Sequence, residues 1–293
     1  MPAAHRKRSK KKIVLLLIII FSHILPLIIS AFYDKATHPN HNVKLSELRY
    51  WLWAFTWWSA WASLLTVPWA IYKLFVSKRK KSSFGEQMWD IIVAETNFIS
   101  GVVFCCGGFY LTLHTAFKNP EIVYPLLGNV KTMYVWLIYN FFWHVLAPGV
   151  TFYYFWKYCR VDKLAKKKAV GSTVSLLNPT TYFLYIMVRP LISNFSKPPS
   201  AALPRHYPPN YPYPPFFWIM GEFANGNEQR AGQSKFLFWS WQPGWLPGLI
   251  WLAITTIFWY IVFSLLFHFL VKMKTKKLWR KNLNNRLEFQ QVG

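Results

Sequence analysis

Long apolar stretches recur along this chain, with charge confined to the gaps between them. That pattern constrains the fold more than any other feature. Six such stretches read as helices: Ile13–Phe32, Tyr50–Val76, Met88–Phe117, Thr132–Trp156, Ser172–Phe195 and Gly244–Val271. A hydrocarbon layer about 30 Å thick takes roughly 20 apolar residues of helix to cross. Backbone in lipid has no water to bond, so a single apolar stretch crosses it as a helix. The expectation is an all-α, polytopic membrane bundle with about six transmembrane helices. The fifth stretch is the most interrupted, carrying Asn178, Pro179 and Arg189. The first follows a basic segment and so also invites reading as a signal peptide. Its apolar run of about 20 residues exceeds the usual 7–15 of such a segment.

Charge sets the orientation. Of 34 Lys and Arg, 24 fall before Ile13, at Lys73 near the end of span two or between spans two and three, between spans four and five, or after Val271. Basic residues concentrate in cytoplasmic loops. Residues 1–12 are then a basic cytoplasmic N-terminus, 13–271 a six-span domain of the bacterial plasma membrane, and 272–293 a basic cytoplasmic tail. Both termini lie inside. Residues 196–243 form an outside loop containing Tyr207–Pro215, YPPNYPYPP. Its prolines favour polyproline II geometry and its tyrosines suit a membrane interface. The net charge of +24 could suggest nucleic-acid binding, but it sits at span ends and forms no separate basic domain. The expected partners are membrane lipids, with anionic headgroups against the basic cytoplasmic loops. The three cysteines, Cys105, Cys106 and Cys159, form no disulfide framework or zinc pattern.

Polar groups within apolar spans are costly and therefore informative. In span two, Thr56, Ser59, Ser63 and Thr66 share a face, with Trp51, Trp53, Trp57, Trp58 and Trp61 over most of the rest. This places small polar groups toward the bundle and indoles toward lipid. In span three, Asn97, Gly101, Cys105, Gly108, Thr112 and Thr115 form a small-residue seam for helix packing. Asp90 falls near the cytoplasmic end, where solvent would reach it; Glu95 lies deeper, where a carboxyl is either protonated or paired. In span four, Asn140, His144, Ala147 and Thr151 align beside Pro148, which removes a donor to the His144 carbonyl and favours a kink there. In span five, Pro179, Tyr182, Tyr185 and Arg189 share a broad face, and Arg189 is placed to snorkel or to meet an anionic group. By depth, Thr56, His144 and Arg189 suit one outward-leaning cavity.

At these residues the chain resembles the bacterial six-span membrane proteins related to the androgen-induced family of membrane hydrolases. The motifs are Pro179-x-x-Tyr182-x-x-Tyr185-x-x-x-Arg189, the Tyr-Pro-Tyr-Pro of residues 211–214, Phe55-Thr56 with Ser59, His144-x-x-x-Pro148, and Ser100-Gly101-Val102-Val103-Phe104. Together they cover roughly residues 13–271. The resemblance implies an intramembrane threonine nucleophile, Thr56, and a histidine base, His144, acting on an ester of a hydroxy fatty acid. Asn140 would help orient the site; Ser59, Tyr182, Tyr185 and Arg189 would support it or meet the headgroup. A threonine hydroxyl is a weak nucleophile until a neighbouring base takes its proton, and an imidazole can do so near neutral pH. The positions around Phe55-Thr56 depart from the family's polar residue and Asn, reading Trp57, Trp58 and Ala60.

Two other readings stay open. One is a non-enzymatic lipid-binding or transport protein, with Arg189 holding a headgroup; no inverted repeat marks a transporter. The other is bis-histidine haem ligation by His23 and His144. No Walker loop, Rossmann fingerprint, zinc motif or GxSxG elbow occurs, and no cofactor is expected.

Overall fold

The computed structural model describes residues 10–37, 58–75, 82–103, 105, 138, 140–194 and 245–291. Over these residues the chain is almost entirely helical and contains no strand. The elements are α1 (Lys10–Thr37), α2 (Trp58–Phe75), α3 (Phe84–Val103), a π-helical turn (Phe142–Leu146) leading into α4 (Ala147–Tyr158), the short α5 (Asp162–Lys166), α6 (Lys168–Ser175), α7 (Leu177–Asn194) and α8 (Trp245–Gln291). The expected all-α class holds. Among the described residues, two stretches are long and apolar enough to cross a membrane: Lys10–Ile29, with 20 residues, and Thr256–Lys277, with 22.

The chain divides into two compact units. The first contains α1 to α6 and α8 from Leu266 onward. Within it α3 is central: Ile91, Val93, Ala94, Glu95, Thr96 and Asn97 are all buried. It opens with a capping box, in which Ser83 Oγ accepts from the Glu86 N–H at 3.1 Å and Glu86 Oε2 accepts from the Ser83 N–H at 2.7 Å. Around its apolar core, this unit turns many large apolar side chains outward and buries several polar ones. Val14, Leu17, Phe21, Leu64, Ile71, Phe141 and Val145 face outward, while Ser22, His23, Ser63, Thr66, Asn97 and Thr151 are buried. The second unit contains α7 and α8 up to Leu265. There the Thr180 and Tyr260 hydroxyls meet at 2.6 Å, and Tyr182 and Phe263 are buried.

Several sequence expectations need correction. Residues 172–195 do not make one continuous helix: α6 ends at Ser175, Leu176 forms a turn, and α7 starts at Leu177. Pro179 falls in the first turn of α7, where a missing N–H costs nothing. The helix that carries the sixth apolar stretch continues past Val271 through the basic tail, so that α8 runs on to Gln291. After Pro247 and Gly248 it contains neither proline nor glycine, and its Lys, Arg, Leu and Gln residues are good helix formers. Trp61 is buried, as is Trp69, so the indoles of α2 do not all face outward. Cys105 is exposed and leaves the packing seam expected for it.

Candidate functional site

Pro148 shapes the chain around His144. Lacking an N–H, it leaves the His144 carbonyl without its ordinary helical donor. The backbone accommodates this with a π turn, in which the Ala147 N–H reaches the Phe142 carbonyl. The expected distortion is present, and Gly101 of α3 packs into it. A Cβ added to Gly101 would lie 3.2 Å from Pro148 Cβ and 3.4 Å from the His144 carbonyl oxygen. This close approach sets Ser100 Oγ 3.5 Å from His144 Nδ1. Asn140, Ala147 and Thr151 are buried along the same face of the helix as expected, with His144 half-buried between them.

A second polar centre joins α1, α2, the π turn and α4. The Ser63 hydroxyl lies 3.0 Å from His23 Nδ1, accepts from Trp143 Nε1 at 2.9 Å and donates to the Ser59 carbonyl at 3.1 Å. His23 Nε2 lies 3.5 Å from Thr151 Oγ1. If Ser63 spends its proton on Ser59, Nδ1–H of His23 is the donor to Ser63 and Nε2 faces Thr151 as acceptor. Both ring nitrogens then serve the bundle, which weighs against iron ligation by His23. Nearby, Asn97 Nδ2 donates to Thr66 Oγ1 at 2.8 Å and to the Val93 carbonyl at 2.9 Å. Ser63 and Thr66 therefore do more than let helices approach; they bond across them.

A third cluster lies at the end of the unit expected to be cytoplasmic. Asp90 is not solvated: it is 1% exposed, accepts from Trp69 Nε1 at 2.8 Å and pairs with Lys73 Nζ at 2.7 Å. Lys274 of α8 reaches the C-terminus of α4, donating to the Phe155 and Trp156 carbonyls at 2.9 and 2.8 Å. The Phe155 carbonyl also accepts from the Cys159 N–H at 3.1 Å, while the Trp156 carbonyl is of the kind a helix end leaves without an internal donor. Gln87 holds α5 in place. Its Oε1 accepts from the Lys163 N–H at 2.9 Å, and its Nε2 donates to Asp162 Oδ1 at 3.1 Å. Cys159, just past α4, is buried; burial pushes its thiol well above the ordinary value, and the charge of Asp90 adds to the rise. Both carboxyl oxygens of buried Glu95 have no hydrogen-bond partner among the described residues.

The site residues read from the sequence are only partly brought together. His144 and Asn140 lie in the first unit, and Ser59, buried there, receives the Ser63 hydroxyl through its carbonyl. Tyr182 is buried and Tyr185 half-buried in the second. Thr56 lies outside the described residues, as does the side chain of Arg189. Sequence reasoning weighed His23 only as a haem ligand and counted Lys73 and Lys274 only as topogenic charges. The depth of His23 inside the first apolar run was the available signal. Lys73 and Asp90 also flank the same predicted cytoplasmic end of consecutive spans. Among the described residues, no group of three or more His, Cys, Asp or Glu gathers as metal ligands would. Comparison of the chain with protein-family models, curated proteins and solved structures finds no match.

Proposed function

We propose that the chain is a six-span protein of the bacterial plasma membrane, with both termini in the cytoplasm, and that it hydrolyses a lipid ester with Thr56 as nucleophile and His144 as base. The membrane part is supported by the many outward-facing apolar side chains, by polar side chains buried among the apolar core, and by the two helices among the described residues that are long and apolar enough to cross. The observation that carries the catalytic part is the setting of His144. Its imidazole is half-buried at a π turn, with Nδ1 3.5 Å from the Ser100 hydroxyl. Such turns occur frequently at functional sites. An apolar surround suits an acyl chain and excludes water competing for the base.

The chemistry would follow the general order of acyl transfer. The Thr56 oxygen attacks the ester carbonyl as its proton passes to His144. The imidazolium then protonates the leaving alcohol, and water, activated by the same imidazole, frees the acid. Turnover of a long-chain fluorogenic ester by the detergent-solubilised chain, lost in Thr56→Ala and in His144→Ala, is the expected result. Undiminished turnover in Thr56→Ala overturns the assignment.

One observation favours a second reading, a non-enzymatic lipid-binding protein. The best-formed hydroxyl–imidazole pair, Ser63 with His23, has its hydrogen bonds committed to Ser59, Trp143 and Thr151, which is the economy of a packed core. Lipid retained through purification without ester turnover would select this reading.

A further inference from the structure

We infer that Glu95, midway along α3, is a proton-binding site: it stands in the folded chain as a carboxylic acid, and it is the carboxyl that an apolar carbodiimide modifies. The inference rests on the packing around α3 and goes beyond the hydrolase reading.

The three acids of α3 are all buried, but they are served differently. Glu86 accepts from the Tyr72 hydroxyl and from the Ser83 N–H, both at 2.7 Å. Asp90 accepts from Trp69 Nε1 at 2.8 Å and meets Lys73 Nζ at 2.7 Å. Glu95 is as deeply buried as Asp90, each being 1% exposed. Yet neither of its oxygens meets a donor or a cation among the described residues. The elements packed on α3 are α2, the π turn, α4, α5 and α6. Of their ionisable groups, Lys73 is held by Asp90, Lys157 donates to the Tyr153 hydroxyl, and Asp162 is taken by Arg160 and Gln87. His144, Lys163, Lys166 and Lys168 form no ion pair with Glu95.

A carboxylate buried without donor or cation is far costlier than the neutral acid, whose one proton cancels the charge. A calcium or magnesium ion in the proton's place would need several oxygen ligands, and among the described residues no group of three or more His, Cys, Asp or Glu gathers. The site is also separate from His144. Asn97, about 200° round the helix from Glu95, bonds to Thr66, and Ser100, about 140° away, faces His144. Glu95 thus lies on a different flank of α3. Opening that flank to water would let the acid ionise, so such an opening would release a proton.

Dicyclohexylcarbodiimide reads this state, because it reacts with a protonated carboxyl. The acid proton passes to one carbodiimide nitrogen as the carboxyl oxygen bonds the central carbon. An oxygen-to-nitrogen acyl shift then gives a stable N-acylurea, and no group leaves. Val102, seven residues on along the same face, is exposed and gives an apolar reagent its approach.

The test treats the full chain in detergent near neutral pH and maps adducts by peptide mass. An adduct is expected on Glu95 and not on Glu86 or Asp90, and the Glu95→Gln variant should lose it. Glu95→Gln keeps the shape of the neutral acid, so its unfolding midpoint should match the wild type. No adduct on Glu95 in the folded wild type, or equal labelling of Asp90, overturns the site. A lower midpoint in Glu95→Gln would reveal a cation paired with the carboxylate and also overturns it. Protection of Glu95 by excess sodium ions would reassign the site to a metal ion, with the same consequence.

Discussion

Gly101 presents its bare Cα to Pro148, and a methyl group there would lie 3.2 Å from Pro148 Cβ. Neither neighbour can yield as a flexible side chain would, because Pro148 is a ring built into the backbone and the next contact, at 3.4 Å, is the His144 carbonyl. Gly101→Ala should therefore push α3 from α4, cost about 1–3 kcal/mol, and loosen the approach of Ser100 to His144. Gly149→Ala is the matched control, since nothing lies within 4 Å of its added carbon. Midpoints of denaturant unfolding in detergent should fall for the first variant and hold or rise for the second.

Lys73 and Asp90 form a pair that is better kept or removed whole than halved. Removing one partner leaves the other charge buried, and such losses run to about 3–5 kcal/mol. Lys73→Met and Asp90→Leu should each destabilise strongly. The double variant should recover much of the loss, measured as a coupling energy in a double-mutant cycle. Additive losses would show that the two residues act separately.

Ser63→Ala removes one hydroxyl and strands two partners, the Trp143 indole N–H and His23 Nδ1. Stranded buried donors cost about 1–3 kcal/mol each at most, and measured values inside membrane bundles fall toward the lower end. A drop in unfolding midpoint with ester turnover retained would mark Ser63 as a framework residue. Loss of turnover at an unchanged midpoint would make it part of the site.

Cys159 should resist alkylation in the folded chain near pH 8, because burial holds its thiol protonated. Mass mapping after N-ethylmaleimide should find it labelled at least about tenfold faster once the chain is unfolded. The sign for stability follows. An acid whose pKa is raised by folding keeps a proton that the unfolded chain releases, so stability falls as pH rises past the ordinary value of 9.0. Cys159→Ala should flatten that part of the pH–stability curve.

Periodicity and proline chemistry made much of this legible. The buried faces of α2 and α4 followed from helical spacing, and the distortion at His144 followed from the missing N–H of Pro148. Pairing was harder to see. A sequence gives Lys73 and Asp90 similar depths but no distance, so the acid read as solvated and the base as a topological mark. His23 sits alone in an apolar run, and its partners Ser63 and Thr151 come from helices that one-dimensional spacing cannot juxtapose. The length of α8 was not legible because its lysines signal a cytoplasmic boundary while also propagating a helix. Lys274 lies in the segment read as a cytoplasmic tail, yet it belongs to α8 and is 4% exposed against the end of α4. Thr56, which the resemblance makes the nucleophile, lies outside the described residues, and its relation to His144 rests on chemistry.

The most direct test of the central claim is labelling of the detergent-solubilised chain with a lipophilic fluorophosphonate, comparing wild type, Thr56→Ala, His144→Ala and Ser63→Ala. The account predicts that wild type and Ser63→Ala label, and that both Thr56→Ala and His144→Ala do not. A folded wild type that fails to label, or a Thr56→Ala variant that labels fully, would contradict it.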